Sequence, residues 1–150
     1  MLVAVAVTAL VLPISAGATI VPQHGMAGVR LQMTKAQVRA KLGVPKKTLN
    51  GRNDFGLYST WVYSRVTISF QGRKKVTSVQ TLSPVERTAS GVGVGSTEAR
   101  VKAKVPAVRC STIAGTRQCI VGAFKPGRTA TVFSIKSGKV SAVIVGFVLD

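Results

Sequence analysis

The fold is decided by a stretch that occurs twice along the chain. Its first occurrence reads Gly28-Val29-Arg30-Leu31-Gln32-Met33-Thr34-Lys35-Ala36-Gln37-Val38-Arg39-Ala40-Lys41-Leu42, and its second reads Gly91-Val92-Gly93-Val94-Gly95-Ser96-Thr97-Glu98-Ala99-Arg100-Val101-Lys102-Ala103-Lys104-Val105. The two align without a gap and are identical at the positions of Gly28, Val29, Thr34, Ala36, Val38, Ala40 and Lys41. Self-similarity at a fixed period is typical of tandem units. We therefore predict two copies of one unit, over residues 28–85 and 86–150.

A short helix is expected to open each copy. Thr34 is followed three residues later by Gln37, which is the pattern of a capping box. Val38 and Leu42 then fall on one face of the helix, and Gly43 ends it. The second copy carries the same signals for a cap, an apolar stripe and a stop at Ser96 or Thr97, Val101, Val105 and Pro106.

The remainder of each copy predicts three strands. These segments are rich in Val, Thr, Ile and aromatic residues and are separated by turn residues. They cover residues 57–63, 65–71 and 76–82 in the first copy, and 118–124, 129–135 and 140–148 in the second. We predict an α+β fold made of two tandem copies of a short helix plus a three-stranded antiparallel meander. The copies should pack together as one unit or form a continuous sheet, because neither is large enough to bury a sufficient core alone.

The titratable side chains argue against catalysis. The chain of 150 residues has 21 Lys and Arg, only 4 Asp and Glu, and one His, giving a formal net charge of +17. The carboxylates of Asp54, Glu86, Glu98 and Asp150 are scattered along the sequence, and His24 lies near the N-terminus. Neither a general acid–base pair nor a set of metal ligands can be assembled from this inventory. We expect no enzyme activity, no metal and no cofactor.

The N-terminus has the pattern of a secretory signal peptide. Residues 2–12 are uncharged, Pro13 follows, and the stretch ends in the small residues Ala16-Gly17-Ala18. No basic residue precedes Arg30, and an uncleaved membrane anchor is the alternative. We predict a signal peptide or anchor over residues 1–18, a lead segment over residues 19–27, and a location outside the cell or on the outer side of its envelope.

Export favours a disulfide between the two cysteines, Cys110 and Cys119, because oxidising compartments keep such bonds formed. A redox pair is the alternative. It is less favoured, because the spacing is not C-x-x-C and only Arg109 and Arg117 could lower a thiol pKa nearby. We expect a structural bridge that closes a small loop.

Several features of the first copy together resemble one family of envelope proteins. They are the helix start from Leu31 to Val38, the helix end Leu42-Gly43-Val44-Pro45, the aromatic strand Trp61-Val62-Tyr63, and the later Phe70, Gly72, Lys75 and Val76. This pattern is similar to the BamE/SmpA/OmlA proteins. Its duplication, with secretion and a cysteine pair, resembles the β-lactamase inhibitory protein superfamily. The resemblance covers residues 26–150 and implies non-catalytic protein binding through a sheet and its loops.

Positive charge is the strongest compositional signal, and it is concentrated on the predicted helices and turns. A solvated surface would explain it, and so would attraction to an anionic partner. Trp61 and Tyr63 should share one face of their strand, either in the core or on a binding surface. The candidate binding surface comprises Trp61, Tyr63, Arg73, Lys74, Lys75, Lys125 and Arg128.

These observations lead to two expected functions. The first is a secreted, non-catalytic protein-binding module of the envelope or extracellular space, in an inhibitor-like or assembly-factor-like role. The second is a basic binder of anionic wall polymer or membrane headgroups. Nucleic acid is not an expected partner, because aromatic residues are not interleaved with the basic clusters. No small-molecule substrate is expected either.

Overall fold

The N-terminal part of the described chain forms a small sheet against the core. The computed structural model describes residues 19–149, so the predicted signal peptide or anchor lies outside the described residues. Three two-residue strands, β1 (Ile20–Val21), β2 (Gly25–Met26) and β3 (Val29–Arg30), pair antiparallel. Ile20, Met26 and Val29 are buried. Residues 19–27, predicted as a lead segment, are therefore part of the folded structure.

Two short helices and eight further strands make up the rest of the described chain. In chain order they are α1 (Lys35–Leu42), β4 (Lys47–Asn53), β5 (Gly56–Val62), β6 (Thr67–Gln71), β7 (Ser78–Thr81), α2 (Glu98–Lys104), β8 (Arg109–Ile113), β9 (Thr116–Gly122), β10 (Thr129–Lys136) and β11 (Lys139–Phe147). Neither of these helices has the length and apolar character needed to cross a membrane; this holds for the described residues.

All eight longer strands belong to one antiparallel sheet, in the order β4-β5-β6-β7-β11-β10-β9-β8. The first four strands form one half and the last four form the other. The halves meet where β7 pairs with β11, and Val79 opposite Val145 lies in that pairing. β4 and β8 are therefore the two outer edges of a single sheet.

Alternation of side chains fixes which face of the sheet is buried. In β6, Ile68 and Phe70 are buried while their neighbours are only partly so, and Phe133 and Ile135 repeat the pattern in β10. Successive side chains of a strand point to opposite faces, so these residues share one face. The helices and the small N-terminal sheet contribute Val38, Val101 and other buried residues to the same core.

Both helices begin at the predicted threonines. The Thr34 hydroxyl accepts from the Gln37 backbone amide at 3.3 Å, and the Gln37 side chain accepts from the Thr34 amide at 2.8 Å. The capping box is therefore confirmed. Thr97 caps the second helix, accepting from the Arg100 amide. Gly43 ends the first helix at a φ of 76°, a conformation that glycine adopts without a steric penalty.

The predicted fold class is wrong. The protein is mostly sheet, and its two helices have only 8 and 7 residues. Each half of the large sheet has four strands rather than three, because β4 and β8 were not predicted. Both are edge strands with mostly exposed, polar side chains. They lack a buried face, so the alternation that reveals the inner strands is absent from their sequences.

The two halves have the same order of elements, a helix followed by four strands. Each capping threonine also pairs with a lysine of its own half, Thr34 with Lys75 and Thr97 with Lys139. Duplication of one unit stays a prediction.

Candidate docking surface

One face of the large sheet is not covered by any other element of the described chain, and we call it the open face. Its side chains alternate with those of the core along the inner strands, as in β5, β6, β7 and β10. Near one end of the strands, a row of small residues crosses five of them: Thr60, Ser69, Ser78, Gly146 and Ala130. Gly146 and Ala130 of this row are buried, and Thr60, Ser69 and Ser78 are partly exposed. The side chains along this row are therefore short, and none of them is bulky.

Two grooves lie side by side on the open face. The first, of about 300 Å³, has hydrogen-bonding side chains along most of its lining, at Asn53, Tyr58, Thr60, Ser69 and Gln71, and we call it the polar groove. The second, of about 410 Å³, is mainly apolar and is lined by residues that include Phe124, Ala130, Val132 and Ile144. Ser78, Phe147 and Leu149 line both grooves. The C-terminal end of β11 therefore forms a shared wall between them.

Hydrogen bonds fix the polar groove. The side-chain amides of Asn53 and Gln71 donate to one another reciprocally, both at 3.2 Å. The Gln71 amide also donates to the Leu57 carbonyl at 3.3 Å. These bonds hold the turn between β4 and β5 against β6, so this side of the groove is pre-organised.

Four segments meet at one end of the open face, and together we call them the loop end. They are the β4–β5 turn, the β6–β7 turn, the β9–β10 loop and the C-terminal residues 147–149. Gly72 of the β6–β7 turn donates to the Leu57 carbonyl at 2.7 Å, and Phe147 donates to the Thr77 carbonyl at 3.0 Å. Gly127 of the β9–β10 loop donates to the Val148 carbonyl at 2.8 Å. Backbone hydrogen bonds therefore join these segments.

The loop end brings together all five basic residues of the predicted binding surface. Arg73, Lys74 and Lys75 lie on the β6–β7 turn, and Lys125 and Arg128 lie on the β9–β10 loop; all five are exposed. They are far apart in sequence but share one end of the sheet, because the antiparallel order places both connections there. The basic part of the predicted site is thus one region of the structure.

The aromatic part of the predicted site lies elsewhere. Trp61 is only 6% exposed and belongs to the core, with the Phe70 ring edge-on at 5.0 Å between centroids. The Tyr63 ring packs against the same core, and its hydroxyl donates to the Gly43 carbonyl at 3.1 Å. Burial raises the pKa of this hydroxyl, and the neighbouring Arg39 opposes the shift. Trp61 is therefore a core residue and not part of an exposed binding surface.

Sequence reasoning missed the apolar residues of the site. Val132 and Ile144 are partly exposed on the open face, and Phe55 and Phe124 project from the loop end. The alternation of β10 and β11 carries a signal for the first two, since each stands between buried neighbours of the opposite face. Phe124 was predicted to end a strand, whereas β9 ends at Gly122.

Few of the cations are paired. The described residues contain three ion pairs, which use two carboxylates: Arg65 with Glu86, and Lys102 and Arg117 with Glu98. Hydrogen bonds from Arg117 and then Lys102 lower the pKa of Glu98 to about 2. Asp54 is exposed on the β4–β5 turn and is the one carboxylate that the described part of the chain places at the loop end. The positive charge of the loop end is therefore largely uncompensated.

The disulfide is confirmed. Cys110 and Cys119 are directly opposite each other on β8 and β9, and their sulfur atoms are bonded. The Glu98 carboxylate brings a third potential metal donor within 4.8 Å of both sulfurs. The two sulfurs are bonded to each other, and the Glu98 carboxylate is bound to Arg117 and Lys102. These contacts occupy the three potential donors, so we assign Cys110, Cys119 and Glu98 a structural role.

Comparison with known proteins supports the fold only. No protein-family model matches the chain, and no curated protein matches it significantly. Two solved structures are similar. One is an extracellular protein containing an SCP domain from Bacillus anthracis str. Ames, with a TM-score of 0.56 and 14% identity, over 78% of this chain and 44% of that one. The other is a DUF4309 family protein (YjgB) from Bacillus subtilis subsp. subtilis str. 168, with a TM-score of 0.51 and 18% identity, over 87% of this chain and 88% of that one.

This chain spans less than half of the SCP-domain protein. At these identities the likeness shows a shared fold and not a shared activity. The resemblance to the BamE/SmpA/OmlA proteins and the β-lactamase inhibitory protein superfamily stays a prediction.

Proposed function

We propose that this protein is a secreted, non-catalytic binding module whose open face docks an acidic partner protein. The observation that carries the proposal is the apolar groove beside the C-terminal end of β11, with uncompensated cations at the adjoining loop end. An apolar centre with a charged rim is the arrangement of specific protein interfaces. The resemblance stated above adds the expectation of an inhibitor-like or assembly-factor-like role.

The open face offers the surface that such an interface needs. Val132 and Ile144 expose apolar area at the groove, and Phe124 and Phe147 extend it toward the loop end. Burying this area would supply the favourable free energy of docking, while the hydrogen-bonding groups of the polar groove would favour one orientation. Sheet positions are also rigid, which reduces the entropy lost on binding.

The charge favours an acidic partner. A formal net charge of +17 creates a strongly positive potential around the molecule, which speeds the encounter with acidic proteins and slows it with basic ones. The disulfide fits an extracellular location, because such bonds persist in oxidising compartments. An exported module of this kind would meet its partner in the envelope or outside the cell.

A capture experiment with matched variants tests the proposal. The protein is immobilised and exposed to envelope and secreted fractions of the producing cells, and bound material is eluted with a salt gradient. Retention of one stoichiometric acidic protein into high salt is expected, because a desolvated apolar contact resists screening. Elution of all material at moderate salt, with no stoichiometric protein, would overturn the proposal.

Two variants with the same change of charge locate the contact. Ile144→Glu places a carboxylate in the apolar groove, and Ala36→Glu places one on the exposed face of α1. We expect Ile144→Glu to weaken binding of the captured protein by about 10-fold or more, and Ala36→Glu by less than about 2-fold. Equal losses for the two variants would show that net charge rather than the open face determines binding. Circular dichroism establishes that both are folded.

A further inference from the structure

The loop end exposes apolar side chains at the tips of separate loops. Phe55, on the β4–β5 turn, is 48% exposed, Phe124, on the β9–β10 loop, is 53% exposed, and Leu149 is 43% exposed. Leu149 lines the polar groove together with Asn53 and the apolar groove together with Phe124. Phe124 and Leu149 therefore border one continuous surface around the end of β11, and Phe55 lies two residues after Asn53 on the adjoining turn.

The backbone of the two loops does not require these exposed rings. The Asn53 side-chain oxygen accepts from the Phe55 backbone amide at 3.0 Å, and this bond closes the turn without using the ring. Phe124 lies two residues beyond the end of β9 at Gly122 and is not part of the buried core. A polar residue could adopt the same backbone conformation at either position. Exposing two phenyl rings to water is unfavourable in free energy, and the conformation of the loops gives no reason for it.

Cations surround these tips. Lys74 and Lys75 on one turn and Lys125 and Arg128 on the other loop are exposed, and none of them takes part in the ion pairs of the described residues. Arg73 is held at the same turn, where its Nε donates to the Tyr58 carbonyl at 3.4 Å. Phenyl rings at loop tips among Lys and Arg match an anionic bilayer, whose phosphates attract the cations and whose acyl region accepts the rings.

We propose that the loop end docks on an anionic phospholipid membrane, with the rings of Phe55 and Phe124 entering the interfacial region and the five basic side chains contacting headgroup phosphates. An anionic wall polymer would satisfy the cations equally well. It has no acyl region to bury the rings, so the exposed phenylalanines favour the membrane. This inference shares Phe124 and the loop-end cations with the proposed function, but it does not require that a protein docks on the open face.

Vesicle co-sedimentation tests the membrane proposal. The protein is purified in the form that the cell releases, its N-terminal sequence is determined, and every variant is compared in that same form. Vesicles contain either phosphatidylcholine alone or equal parts of phosphatidylglycerol and phosphatidylcholine. We expect binding to the anionic vesicles and little binding to the neutral ones, with partial loss as salt is raised.

Variants at the two ends of the sheet separate site-specific docking from general attraction. Phe55→Ser with Phe124→Ser should weaken binding about 10-fold or more, and Lys74→Gln with Lys75→Gln about 30-fold. The control for the phenylalanines is Ile113→Ser, and the control for the lysines is Lys136→Gln with Lys139→Gln. These residues lie at the β8–β9 and β10–β11 turns, which the strand order places at the end of the sheet opposite the loop end. Each control should alter binding by less than about 3-fold. The fluorescence of the buried Trp61 checks that every variant is folded.

Two results would overturn the membrane proposal. One is equal weakening by the lysine variants at the two ends, which would mean that total charge is sufficient. The other is unchanged binding of the Phe55 and Phe124 variant, together with equally tight binding of soluble poly(glycerol phosphate). That outcome would identify a polyanion binder with no use for the bilayer.

Discussion

Trp61 lies beneath two cations of α1. The Arg39 guanidinium is 5.3 Å from the Trp61 ring centroid, and the Lys35 ammonium is 5.7 Å from it and 5.3 Å from the Phe70 ring centroid. Such contacts stabilise a charge over an aromatic face, and the aliphatic part of each side chain covers apolar surface. Partial burial lowers the pKa of Lys35, and the positive charge of Arg73 adds to the shift. Part of the basic composition therefore serves to cover the core.

The disulfide between Cys110 and Cys119 leads to a prediction about single residues. Replacing both Cys110 and Cys119 by Ser removes a bridge between directly opposed residues with a sequence separation of 9. Closing a loop of this size reduces the entropy of the unfolded chain, so we expect the free energy of unfolding to fall by about 2.5–3 kcal/mol. Urea denaturation of the two forms measures the difference. If the urea concentration at half unfolding is the same for both forms, the bridge does not constrain the unfolded chain.

The elements at the two edges of the sheet carry features that limit further pairing. β4 has Lys47 and Arg52 among its exposed residues, and β8 begins at Arg109. Charged side chains on an edge strand disfavour pairing with another edge. At the β8 side, Arg117 of β9 also binds Glu98, the first residue of α2, with an Nε–Oε2 distance of 3.1 Å. This contact fixes the helix to the edge hairpin.

The Glu98 contact predicts a pH-dependent stability. The pKa of Glu98 is lowered from 4.5 to about 2 in the folded protein, first by the hydrogen bond from Arg117 and then by that from Lys102. A lowered folded-state pKa contributes stability above the unfolded value, and the contribution is lost as the pH falls through the folded value. Glu98→Gln should therefore have a lower Tm than the natural chain at neutral pH. The difference in Tm between the natural chain and Glu98→Gln should become smaller below about pH 4.5 and disappear near pH 2.

Thermal unfolding across this pH range measures the effect, with Asp54→Asn as a control because Asp54 is exposed and takes part in none of the ion pairs. A Tm gap that stays constant from pH 7 to pH 2 would show that Glu98 acts through packing rather than through its charge.

At the scale of the whole molecule, charge is unevenly balanced. The 21 basic residues face 4 acidic ones, and in the described chain two of those acids, Glu86 and Glu98, are already taken up in ion pairs. Glu86 is fully buried, with the Arg65 guanidinium 3.2 Å away. The remaining cations repel one another across the surface. The compact state is therefore destabilised by its own charge, and an anionic partner would relieve that repulsion.

Salt should therefore stabilise the protein. Raising NaCl from about 0.01 M to about 0.15 M shortens the Debye length from about 30 Å to about 8 Å, which screens repulsion across the surface. We expect Tm to rise over this range, and to rise less in Lys74→Gln with Lys75→Gln. Differential scanning calorimetry provides the measurement. A fall in Tm with added salt would mean that the three ion pairs outweigh the repulsion.

Local signals in the sequence determined the helices and the centres of the inner strands. The capping box at Thr34 joins residues only three positions apart, and the alternation of Ile68 and Phe70 with their neighbours needs only one buried face. The cysteine pair was predictable because a chain with two cysteines has only one intramolecular pairing. These features depend on short-range geometry, which the sequence alone specifies.

Only the tertiary structure decided how the strands join. The pairing of β7 with β11, residues 78–81 with 143–146, unites the two halves into one sheet, and no local signal encodes a contact between segments so far apart. The edge strands β4 and β8 show no alternation, because their side chains face water on both sides. The same order brings Arg73 and Arg128 to one end and places Trp61 in the core. Long-range pairing is selected by the burial of the whole core. The sequence therefore pointed to the basic residues of the candidate site, whereas the apolar residues and the assembly of the site were decided by the fold.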